Sequence, residues 1–110
     1  MRGKVIAVDF DGCLCEHQWP KIGKANTGAI RALIRLREQG ARLILWTCRT
    51  GERLEEAVNW CARHGLVFDA VNDNLPERVA KYGGDTRKVS ADEYWDDLAV
   101  TVRCGRGDAV

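Results

Sequence analysis

The chain has 110 residues, 45% of them apolar and 30% charged, with 17 Lys plus Arg against 16 Asp plus Glu for a formal charge of +1. Domains peak at about 100–150 residues, so one domain is expected, and the near-neutral balance gives general polyanion binding no support. The longest apolar runs, such as Leu43 to Trp46, fall far short of the roughly 20 residues that a membrane span requires. The N-terminus lacks the basic, apolar and small-residue regions of a signal peptide, so no membrane association and a cytoplasmic location are expected. Five cysteines (Cys13, Cys15, Cys48, Cys61, Cys104) without regular spacing argue for reduced thiols over a disulfide framework.

Taken in chain order, short apolar runs alternate with amphipathic ones. Val5 to Val8 is rich in β-branched residues and stops at Asp9, the pattern of a buried strand. Asn26 or Thr27 can cap a helix whose Ile30, Leu33 and Ile34 share one face and which ends at Gly40. Leu43 to Trp46 predicts a second strand, and Thr50 caps a second helix with Leu54, Ala57, Val58, Cys61 and Ala62 on one stripe, closed by Gly65. Val67 to Val71 predicts a third strand. Pro76 starts a short helix ending at Gly83-Gly84, and Glu93 to Trp95 predicts a fourth strand. This alternation implies right-handed β-α-β units: an α/β, Rossmann-like three-layer sandwich with a mostly parallel sheet and a ligand site beyond the carboxyl ends of the strands. Residues 1–103 are expected to form the core and 104–110 a flexible tail, in which Arg106-Gly107-Asp108 is a chance triplet.

Polar clusters stand at each of those carboxyl ends: Asp9-Phe10-Asp11-Gly12, Thr47-Cys48-Arg49, Asn72-Asp73-Asn74 and Asp96-Asp97. Period two puts Asp9 and Asp11 on one side and Phe10 on the other, and Gly12 lets the backbone turn sharply. Asp9, Asp11, Asp96 and Asp97 together would crowd four carboxylates into one crevice, which calls for a cation, and oxygen-only ligands favour Mg²⁺. Asn72 to Asn74 are expected to form a turn and cap, with shaping of the pocket as the alternative. Cys13, Cys15, His17 and Cys48 lack zinc-ligand spacing and are expected to pack.

Asp9-Phe10-Asp11-Gly12-Cys13-Leu14 resembles the first motif of the haloacid dehalogenase (HAD) superfamily of phosphohydrolases, with Cys13 where Thr or Val is usual. Thr47 matches the second motif, Lys88 the third and Asp96-Asp97 the paired-acid fourth, over about Val5 to Val100 in the family's order. The resemblance implies an uncapped HAD-like fold and a Mg²⁺-dependent phosphatase acting through an aspartyl phosphate. Asp9 would be the nucleophile and Asp11 the proton carrier; Thr47, Cys48 and Arg49 would bind the phosphorylated substrate, and Lys88 would offset charge around Asp9. Asp9, Asp96 and the backbone carbonyl of Asp11, with Asp97, would hold the metal.

Two other functions fit parts of the pattern. Gly84-Asp85-Thr86-Arg87-Lys88 before the Asp pair is similar to polynucleotide kinase-phosphatases, and six basic residues against one acid, Glu38, lie between Lys21 and Arg42. That pattern suits a nucleic-acid 3′-end phosphatase, although a solvated helix face explains the charge as well. A receiver-like phospho-acceptor shares the acids, Thr and Lys in a different order. The segment from Cys15 to Ala25 is too short for a cap and is expected to form a flap, with Trp19 and Pro20 beside the first motif placed to meet a second copy in a homo-oligomer.

Overall fold

The computed structural model describes residues 3–104. In chain order its elements are β1 (Val5–Val8), β2 (Cys15–Gln18), β3 (Lys21–Ala25), α1 (Thr27–Glu38), β4 (Arg42–Leu45), α2 (Gly51–Arg63), β5 (Ala70–Val71), α3 (Pro76–Tyr82) and β6 (Glu93–Trp95). Four of the strands form one sheet in the order β5-β4-β1-β6 with every neighbouring pair parallel, while β2 and β3 form a separate antiparallel hairpin. The protein is thus an α/β unit with a parallel sheet and three helices among the described residues. No helix among them is long and apolar enough to cross a membrane.

All four residues of β1 are buried, which a central parallel strand requires because both of its faces must be covered. Period two sends Ile6 and Val8 to one face, where they pack with Leu43, Leu45 and the helix residues Ile30, Leu33, Ala57 and Cys61. Val5, Ala7 and Ile44 point to the other face and meet Leu75 and Val89. The two faces are unequal. Two long helices cover the first, whereas α3 buries none of its own residues and the second is closed by Leu75 at its N-terminus and Val89 beyond it.

The helix signals act locally. The Asn26 side chain accepts from Ala29 N at 3.3 Å and donates to Cys13 O at 3.0 Å, so the cap of α1 also ties down the loop after β1. Thr50 precedes α2 without a side-chain capping bond. Pro76 opens α3, and Gly83 ends it in the left-handed conformation at φ 73°.

Three expectations are corrected. The third strand, expected over 67–71, is confined to Ala70–Val71: Val67 is 52% exposed, and Asp69 instead clamps Leu43, accepting from its N–H at 2.8 Å and donating to its carbonyl at 2.8 Å. The second strand runs over Arg42–Leu45, although Trp46 N still donates to Val8 O at 2.8 Å. The segment expected as a flap is the β2–β3 hairpin, and Gly23 lies so close to the Glu16 backbone carbonyl that a Cβ would not fit. Residues 105–110, most of the expected tail with Arg106-Gly107-Asp108, lie outside the described residues.

The connection order positions the site. From β1 the chain moves outward to β4 and β5, then returns to the far side of β1 as β6, so the winding reverses between β1 and β6. Ligand crevices in parallel sheets form at such reversals, beyond the carboxyl ends of the strands. Val8 pairs with both Leu45 and Trp95, so the three strands end level and Asp9, Thr47 and Asp96 emerge along one edge.

The thinly covered face gives a direct test of this packing. Ile44→Ala is expected to destabilise the protein by about 2–5 kcal/mol in denaturant unfolding, as for a fully buried aliphatic side chain. A change below about 0.5 kcal/mol, the surface range, would show that this face is not closed.

Candidate functional site

Asp9 leaves β1 with its N–H donating to Trp95 O of β6 at 2.9 Å, and one of its carboxylate oxygens accepts from Phe10 N at 2.8 Å. Asp96 and Asp97 follow β6, and Asp96 accepts from Leu98 N at 2.9 Å. One carboxylate oxygen each from Asp9, Asp96 and Asp97 lie within 4.8 Å of one another. Among the described residues no ion pair reaches any of these three. Burial, opposed in part by the Phe10 N–H and reinforced by Asp96, Asp97 and Asp11, pushes the Asp9 carboxyl up to about 6. Gly12 completes this corner: its φ is +83°, and a Cβ there would run into the Asp97 carboxylate.

Asp11 is held apart from that cluster. Arg49, only 1% exposed, donates from Nε to one Asp11 oxygen at 2.8 Å and from Nη2 to the other at 2.8 Å. Its remaining contacts are the carbonyls of Pro20 at 3.3 Å and Lys21 at 3.1 Å, at the turn of the hairpin. The guanidinium carbon lies 5.0 Å from the Phe10 ring centroid and 4.9 Å from that of Trp19, so the group is sandwiched between two rings. The hydrogen bonds to Asp11, against the effect of burial, hold the guanidinium charged. Arg49, expected to contact substrate, is engaged by Asp11 and two carbonyls; the metal contact expected of Asp11 is through its backbone carbonyl, which these side-chain bonds leave untouched.

Thr47 stands opposite the acids at the end of β4. Its N–H donates to the Asn72 side chain at 2.8 Å and its hydroxyl accepts from Arg49 N at 3.1 Å. A hydroxyl that accepts still has its own proton to donate, so Thr47 O–H and the Cys48 N–H are the donors this loop can offer a ligand. Asn72 holds φ at 53°, a conformation that Asn tolerates better than most residues. Beyond the expected turn and cap, its side chain anchors the Thr47 loop.

Lys88 is not among the residues that line the acidic cleft. Asn74 donates to Asp85 at 3.0 Å and to Thr86 O at 3.0 Å and accepts from Ser90 N at 2.6 Å, fixing the loop that carries Lys88. The exposed Lys88 ammonium lies 5.2 Å over the Tyr94 ring, and Tyr94 in turn donates to Val89 O at 2.6 Å on the thinly covered face. Among the described residues no ion pair joins Lys88 to Asp9, whose charge it is expected to offset.

Asp9, Asp11, Asp97, Thr47, Cys48 and Arg49 line one cleft of about 280 Å³. Three further residues complete its wall: His17 and Trp19 from the hairpin and Leu98 beyond β6. None of the three is singled out by a motif, and their only sequence signal is nearness to Asp9 or Asp97. Cys13 and Cys15 belong to the packing, whereas Cys48, expected to pack, is exposed in the cleft wall. Cys13 Sγ lies 3.6 Å from Trp95 O and Cys15 Sγ 3.9 Å from Phe10 O, and burial pushes both upward, Cys13 to about 12, so they stay protonated and are poor metal ligands. Of the basic residues between Lys21 and Arg42, Arg37 pairs with Asp69 and Arg42 with Glu77.

The solved structure of a conserved protein coded by a locus of Bacteroides thetaiotaomicron is similar to this chain. The TM-score is 0.78 and the identity 45%, over 87% of this chain and 77% of that one. No family model and no curated protein matches the chain.

Two substitutions test the electrostatics. The raised Asp9 carboxyl means that the folded state binds this proton more tightly than the unfolded chain, so its contribution to stability falls as pH rises from about 4 to about 6 and stays unfavourable above. In chelator at pH 7.5, Asp9→Asn is expected to stabilise the protein by about 1–2 kcal/mol, discounted for partial solvent screening, and to flatten that pH dependence. A loss of stability would contradict the description of Asp9 as a partly buried carboxylate crowded by like charge. Arg49→Met is expected to cost about 3 kcal/mol in denaturant unfolding, because it strands Asp11 and frees the hairpin; a cost below about 1 kcal/mol would mark the pair as a surface contact.

Proposed function

This chain belongs to the same family as the conserved Bacteroides thetaiotaomicron protein, and we propose that its acidic cleft hydrolyses phosphomonoesters. One observation carries the reading. A partly desolvated carboxylate at the end of the first strand lies in a cluster with two further carboxylates, across a cleft from a Thr47 loop with donors to offer. That supports the Rossmann-like, HAD-like assignment that the motifs suggest.

A divalent cation fits the donor set, which is all oxygen, triply anionic and without a cation of its own among the described residues. Asp9, Asp96 and Asp97 would hold Mg²⁺, which when bound would neutralise the repulsion between carboxylate and phosphate and polarise the phosphoryl group. In the proposed reaction an Asp9 oxygen attacks phosphorus, the ester P–O bond breaks, and the leaving oxygen takes a proton from Asp11. Water then attacks the acyl phosphate at phosphorus, gives its proton to Asp11, and releases inorganic phosphate and the free Asp9 carboxylate. Each Asp11 oxygen accepts one hydrogen bond from Arg49 and keeps a second lone pair at which the proton would be carried. Thr47 O–H and Cys48 N–H would bind the phosphoryl oxygens.

Phosphate release from a panel of phosphomonoesters tests this. Activity is expected with Mg²⁺, is lost in chelator and is restored poorly by Ca²⁺, whose looser coordination misplaces the phosphoryl group. Asp9→Asn is expected to reduce turnover by at least about a thousandfold and Asp11→Asn by about a hundredfold or more. Turnover that survives Asp9→Asn or chelation would refute the mechanism.

A further inference from the structure

The Arg49 sandwich has an unfinished end. Phe10 is fully buried, Arg49 lies over it, and Trp19 lies over Arg49, yet Trp19 is 54% exposed. One face of the indole is taken by the guanidinium, and the ring lines the same cleft as Asp9 and Thr47. The ring is also pre-positioned, because Arg49 fixes the backbone just after Trp19 through the carbonyls of Pro20 and Lys21. A flat aromatic surface held in place beside a proposed phosphoryl site loses little entropy on stacking. With a cation on one face, its open face suits an electron-rich ring on the other.

Resting on the phosphohydrolase reading, the geometry points to a phosphomonoester whose leaving group carries a planar aromatic ring, such as a purine nucleoside monophosphate, stacked on Trp19 as the fourth layer over Phe10, Arg49 and Trp19. The competing occupant of Trp19 is a second copy of this chain. The fixed ring in the wall of the cleft favours a ligand that enters the cleft. Trp19 is then a specificity residue: it distinguishes aromatic from aliphatic leaving groups and has no part in the transfer of the phosphoryl group.

The test compares AMP with ribose 5-phosphate, which present the same primary phosphate ester and differ in the base. Binding is measured by calorimetry with Mg²⁺ on the full chain carrying Asp9→Asn, alongside turnover by the wild type. AMP is expected to bind at least about tenfold more tightly than ribose 5-phosphate, in line with the usual strength of base–aromatic stacking. In the Asp9→Asn background, Trp19→Ala is expected to erase that ratio and Trp19→Phe to keep most of it. Equal affinity for the two ligands, a ratio that survives Trp19→Ala, or no binding of either ligand would overturn the stack, as would a concentration-dependent dimer that loses its stability with Trp19→Ala. Discrimination in binding without turnover by the wild type would support the stack and refute only the phosphatase reading.

Discussion

Like charge is brought together where β1 and β6 end, and much else in the structure follows from that. Asp9, Asp96 and Asp97 converge without an ion-pair partner among the described residues, and the level ends of the strands and the bare backbone of Gly12 bring them close. Such a cluster is unfavourable for the isolated chain, and the Asp9 carboxyl is raised first by burial and further by Asp96, Asp97 and Asp11. Proteins tolerate local destabilisation of this kind where function needs it, and here the cost of a few kcal/mol at most is carried by a core closed on both faces of the sheet.

The fourth acid follows a different course because of Arg49. A charged guanidinium that is almost wholly buried needs a carboxylate, and Asp11 supplies one in the bidentate geometry that suits arginine. The pair joins three parts of the protein: the core through Phe10, the carboxyl edge of the sheet through Asp11, and the hairpin through the carbonyls of Pro20 and Lys21. Any opening of the Arg49–Asp11 pair during turnover would loosen the hairpin as well.

The strands and helices that face the core were legible because their signals are local. Val5 to Val8 ends at an acid, Asn26 caps its helix, and Pro76 and Gly83 bracket another. The hairpin was not, since its turn at Trp19-Pro20 carries none of the usual Asn-Gly or Asp-Gly signals, and β2 exposes three of its four residues. The shortening of the third strand depended on Asp69 reaching Leu43, a pairing that periodicity does not encode. At the site, the convergence of Asp9, Asp96 and Asp97 followed from topology and was legible. The roles of Arg49 and Lys88 were not, because each depends on which distant partner, Asp11 or Tyr94, the fold brings within reach.

The account stands or falls on whether Asp9 becomes phosphorylated. Wild-type protein turning over a phosphomonoester with Mg²⁺ can be quenched with borohydride, which reduces an aspartyl phosphate to homoserine, and the chain then read by peptide mass spectrometry. The account predicts homoserine at position 9, dependent on both substrate and Mg²⁺. Homoserine at another aspartate, or an unmodified Asp9 in protein that is releasing phosphate, would contradict it.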